Sequence, residues 1–76
     1  MSFYVNTTRH PAIVTLKISG PDDLKVDLKI GSNEVFEKTQ ASPGYLDIHV
    51  RAGEELQLVG KPDEVELTLI AVRSAP

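Results

Sequence analysis

The sequence predicts a small all-β domain: an antiparallel β-sandwich of about seven or eight short strands, with a jelly-roll-like order as one arrangement of them. Three observations carry this prediction. Five segments alternate apolar and polar residues with a period of two, which gives a strand one buried and one wet face. The breaks between them carry glycine, proline, asparagine, aspartate and serine, the residues that turns require. No segment shows an extended apolar stripe at helical spacing.

The elements follow in order. Ala12–Ser19 sets Val14, Leu16 and Ile18 against Thr15 and Lys17. After Ser19-Gly20-Pro21-Asp22-Asp23, the run Leu24–Ile30 sets Leu24, Val26, Leu28 and Ile30 against Lys25, Asp27 and Lys29. Gly31-Ser32-Asn33 then leads to a weaker strand over Glu34–Lys38, and Gln40–Gly44 is the longest polar break. Tyr45–Val50 places Leu46, Ile48 and Val50 inward, Glu55–Val59 does so with Leu56 and Leu58, and Glu64–Leu69 with Val65, Leu67 and Leu69. Polar residues on every second position mean antiparallel sheets covered on one side, since buried parallel strands are apolar on both faces. The resulting core is entirely branched aliphatic. Residues 1–76 read as one domain, with 73–76 as a flexible tail.

At 76 residues the chain buries a modest share of its surface, and domains of this size commonly add disulfides, a metal or a partner subunit. There are no cysteines, which removes disulfides and thiolate metal sites. Eight basic against eleven acidic residues, mixed along the chain, give a formal charge of −3 and no basic stripe of the kind a nucleic-acid backbone binder needs. The opening Met1–Asn6 lacks the apolar stretch of about 7–15 residues of a secretory signal, and no apolar run is long enough to span a membrane as a helix. The triplet Asn6-Thr7-Thr8 fits a glycosylation acceptor, but reads better as a polar strand exit whose side chains bond nearby backbone. Neither nucleic acid nor membrane is expected as a partner.

Tests for chemistry return little. His10 lies at a turn beside Pro11, and His49 shares the wet row of its strand with Tyr45, Asp47 and Arg51. A solvated sheet face produces such a row by itself, and no paired carboxylates sit in an apolar context that would tune them for acid–base work. No glycine-rich loop opens a helix, and the acidic turn residues lack calcium-loop spacing. No enzymatic role, metal or cofactor is expected. Tyr45, His49 and Arg51 remain a candidate ligand face, for a carbohydrate among other ligands.

A second group of residues is surplus to the alternating rows. Phe3, Tyr4 and Val5 form an apolar start, Ile13 lies opposite Val14, and Val59 lies opposite Leu58. Ile70 and Val72 break the pattern in Leu69-Ile70-Ala71-Val72. Either a β-bulge or a change of sheet turns these residues inward, or Phe3, Tyr4, Val5, Ile13, Ile70 and Val72 form a surface covered by a neighbouring subunit.

The stretch Phe3-Tyr4-Val5-Asn6-Thr7-Thr8-Arg9-His10-Pro11-Ala12-Ile13-Val14 resembles the opening of small modules in phage tail-fibre and accessory virion proteins, and Ile48–Leu58, with Ala52-Gly53 between two strands, resembles their second signature. Arg9-His10 departs from the commoner Gly-Lys type of pair, and the tryptophan-bearing C-terminal segment of many such modules has no counterpart here. The resemblance implies a virion structural protein, in capsid decoration or a tail fibre. It implies a homotrimer among other virion proteins, assembled in the host cytoplasm.

Overall fold

The computed structural model describes residues 1–76. Seven strands form the domain: β1 (Ser2–Val5), β2 (Ala12–Ser19), β3 (Val26–Gly31), β4 (Phe36–Ala41), β5 (Gly44–Val50), β6 (Glu55–Gly60) and β7 (Glu66–Ser74). They make a four-stranded sheet in the order β1-β6-β3-β4 and a three-stranded sheet in the order β5-β2-β7. Every pairing is antiparallel. The two sheets pack as a small sandwich.

The alternating rows meet between the sheets. Val14, Leu16 and Ile18 of β2 lie against Val26, Leu28 and Leu56 of the facing sheet, with Ile48, Val50 and Val65 closing the core. Leu24, Ile30, Leu46, Leu58, Leu67 and Leu69 are partly buried around it. Ala41, at the end of β4, joins the buried set and belonged to no alternating row. All the aliphatics read as core from their spacing thus reach it.

Several strand limits differ from the sequence expectation, among them the start of the last strand, which is Glu66 and not Glu64 because the Val65 N–H closes a turn onto the Pro62 carbonyl. Leu24 lies in a turn, its N–H donating to the Pro21 carbonyl (3.2 Å), and β3 starts at Val26. The expected strand at Glu34–Lys38 is displaced to Phe36–Ala41, because Gln40 and Ala41 pair with Asp27 and Val26 instead of forming a loop. Only Ser42 and Pro43 then separate β4 from β5. The tail expected from Arg73 onward is corrected: Arg73 and Ser74 pair with Ile13 and Ala12 inside β7, and the Ala75 N–H donates to the Pro11 carbonyl.

Most of the surplus apolar residues have one explanation in common. The register slips between Ser2 and Tyr4, between Thr15 and Leu16, and between Asp27 and Leu28. The unpaired extra residues at these slips are Phe3, Ile70 and Val59. A bulge inserts one residue and resets the alternation. Tyr4 therefore registers with buried Leu56, and Val72 with buried Val14. Phe3 and Tyr4 are partly buried and pack against the core.

The β1–β2 connection is anchored by Asn6, the one polar side chain in the buried set. Its Nδ2 donates to the carbonyls of His10 (2.8 Å) and Val50 (3.0 Å), and its Oδ1 accepts from the Thr8 N–H (3.0 Å) and the Thr8 hydroxyl. Its backbone is equally engaged: the Asn6 N–H donates to the Glu54 carbonyl, and the Gly53 N–H to the Asn6 carbonyl. Gly53, at φ 80°, supplies the left-handed step in this β5–β6 turn. A side chain so enclosed is closed to a glycosylating enzyme in the folded state.

Candidate interaction surfaces

The outer face of the three-stranded sheet is built from the wet rows of β5, β2 and β7. Cross-strand partners share a face, so the registers give three ranks: Tyr45–Lys17–Thr68, Asp47–Thr15–Ala71 and His49–Ile13–Arg73. Lys17 Nζ lies 5.9 Å from the Tyr45 ring centre, within cation–π range. The Thr15 hydroxyl donates to Asp47 Oδ1 (2.6 Å), while Arg73 donates to Thr15 Oγ1 (3.0 Å) and to Asp47 Oδ2 (3.1 Å). One side chain from each strand thus laces the face together. Ile13 is half-buried at its centre, flanked by His49 and Arg73.

The Thr15 hydroxyl, and after it Arg73, holds the Asp47 carboxyl below the usual aspartate range. Hydrogen bonds from Ser2 and Gln57 do the same for Glu55. A depressed folded pKa contributes stability above the ordinary aspartate pKa, and that contribution is lost as pH falls through the folded value. Asp47→Asn should therefore lower the melting temperature slightly at neutral pH and leave it level with the unmodified chain in strong acid. A gap of constant size across that titration would show that the carboxylate charge is not what matters there.

The three residues of the candidate ligand face do not converge. Tyr45 and His49 share the outer face with Asp47 between them. Arg51 lies beyond the end of β5, its backbone N–H donating to Glu54 Oε1 (2.8 Å). His49 and Arg51 instead join Glu37, Glu54, Ser32 and Val35 around a cleft of about 320 Å³. That volume is at the small end for ligand pockets, and Tyr45 has no part in it.

The apolar surface lies elsewhere. The two-residue β4–β5 link holds those strands on one side of the sandwich, which leaves β1 and β7 as the edges of the opposite side. Val5, Ile70 and Val72 are 47 %, 50 % and 41 % exposed on these two edge strands. Of the six residues expected at an interface, these three remain open, Phe3 and Tyr4 serve the core, and Ile13 belongs to the outer face of the sheet. The signal for this split was the apolar start at Phe3–Val5 and the break in alternation at Ile70 and Val72. Asn6 gave part of one: its bonds to Thr8 and His10 fit the polar strand exit read from Asn6-Thr7-Thr8, while those to Val50, Gly53 and Glu54 come from positions far along the chain.

Comparison with protein-family models, with curated proteins and with solved structures returned no match.

Proposed function

We propose that this domain is a structural module of a phage particle, in capsid decoration or a tail or fibre, and that it works through contacts with copies of itself and with other virion proteins. In this reading the seven strands are a reduced jelly-roll-like arrangement, and the assembly is the homotrimer that the sequence resemblance favours. The observation that carries the contact reading is the coincidence of half-exposed Val5, Ile70 and Val72 with the free edges of β1 and β7. An edge strand offers unpaired N–H and C=O groups, and exposed aliphatics beside it add apolar area to any strand or sheet that docks there. Ile70→Asp tests it. The bulged side chain is half exposed, so the fold tolerates the charge while an apolar contact does not. The expected result is a smaller assembly of natively folded chains; unchanged mass would remove this surface from the contact.

The second reading is a ligand-binding module, for carbohydrate among other ligands. The cleft beside His49 and Arg51 and the open Tyr45 ring favour it. Glycan-array binding abolished by Tyr45→Ala would make that reading the better one.

A further inference from the structure

We infer that the free edge of β5 pairs with β5 of a second copy of this chain, antiparallel and centred on Ile48, to make one continuous six-stranded sheet across a two-fold axis. This contact is additional to the β1/β7 surface, on the opposite side of the sandwich.

Strand β5 is an edge strand whose register with β2 runs without a slip from Val50 to Gly44. Bulges interrupt β1 and β7, so β5 offers the longer unbroken ladder for strand pairing, while the β1/β7 side offers exposed aliphatics. A pair centred on Ile48 keeps Leu46–Val50 of each copy in register and sets Asp47 of each copy opposite His49 of the other. On the inner face it sets Ile48 against Ile48 and Leu46 against Val50, so the apolar row of one copy continues into the next. The polar row that converges on no single site becomes complementary once it is paired with its own reverse. Asp47 keeps acceptor capacity for this contact, since a carboxylate accepts about four hydrogen bonds and Thr15 and Arg73 occupy two.

Three other registers are worse, each for a stated reason. A one-residue slip turns the inner row to solvent. Centring on Asp47 places the two carboxylates face to face, which is destabilising. Centring on His49 leaves only Ile48, His49 and Val50 of the strand in register. On β4, the comparable pair centred on Lys38 opposes two lysines. A contact of strand with identical strand is isologous and generates a two-fold; a three-fold assembly has to use other surfaces.

Sedimentation equilibrium of the full chain, in the Ile70→Asp background that removes the β7 contact, tests the pairing separately from the proposed function. The expected result is a concentration-dependent rise to twice the 8.3 kDa chain mass. His49→Asp, which opposes two carboxylates at both ends of the pair, should weaken that dimer about tenfold or more. Asp47→Lys should weaken it similarly, and the two together should restore it, because lysine then faces aspartate. A chain that stays at monomer mass, a dimer indifferent to His49→Asp, or failure of the double substitution to restore a natively folded dimer would each overturn the inference. Loss of mass on Ile70→Asp alone concerns only the other surface.

Discussion

Replacing Asn6 by alanine is expected to cost about 3 kcal/mol or more, the largest effect of any substitution of a polar residue in this domain. The amide binds two carbonyls, those of His10 and Val50, and accepts from the backbone and hydroxyl of Thr8. Truncation removes four bonds around a small void; the Thr8 hydroxyl still reaches the His10 carbonyl, while the Val50 carbonyl loses the buried amide donor, and a buried unsatisfied group costs about 1–3 kcal/mol. The damage is not confined to one loop, because Asn6 joins the exit of β1, the end of β5 and the β5–β6 turn. For a domain of this size a loss of about 3 kcal/mol lowers the melting temperature by roughly 12–24 °C. Asn6→Asp is the sharper variant. It preserves shape but directs a carboxylate at two carbonyl oxygens, and should be at least as damaging as alanine. Thermal unfolding followed by circular dichroism measures both. An Asn6→Asp chain as stable as the parent would mean that the two donated bonds carry no weight.

Gly31→Ala is expected to destabilise by about 2–4 kcal/mol for a different reason, the position of backbone. A Cβ at Gly31 would collide with the Val35 carbonyl oxygen and lie 2.9 Å from the Phe36 Cα. No side-chain rotation relieves a clash with main chain. The Val35–Phe36 peptide has to move by more than about 1 Å to reach contact distance, which breaks the Ser32 N–H to Val35 carbonyl bond and the Gly31–Phe36 pairing. The β3–β4 hairpin and one wall of the His49–Arg51 cleft shift with it. Gly60→Ala is the control, having open space around its Cβ; it should be neutral or slightly stabilising through the unfolded chain. Denaturant unfolding of the two variants should separate them, and equal midpoints would contradict the geometry.

What the sequence revealed and what it hid divide along physical lines. Alternation is a local property of a strand with one buried face, so β2, β3, β5 and β6 and their apolar rows were legible. Strand β4 was not placed correctly, because four of its six residues are exposed and its two faces carry no contrast. The bulges were visible as surplus apolar residues at Phe3, Val59 and Ile70, but a surplus apolar residue reads equally well as an interface residue until its partner strand is known. Asn6 depends on partners at Val50, Gly53 and Glu54, and no local pattern marks a long-range bond. Of the candidate site, the row through Tyr45, Asp47 and His49 was read correctly as one exposed face. Its divergence from Arg51 was hidden, since it depends on where β5 ends.

The two surfaces follow from the same economy of size. With 13 of 76 residues buried, the core leaves strand edges at both sides of the sandwich open, and no helix or loop is long enough to cover them. Pairing those edges with further chains adds backbone hydrogen bonds and apolar contact without enlarging the domain. Stability and assembly are then linked, because anything that binds the folded state alone raises its apparent stability with concentration.

The central claim is that this domain acts by contact between folded chains, and the mass of the unmodified chain in solution tests it most directly. Sedimentation equilibrium from micromolar to millimolar concentration should give a mass that climbs above the 8.3 kDa of one chain as concentration rises. A mass that stays at 8.3 kDa over that whole range would contradict it.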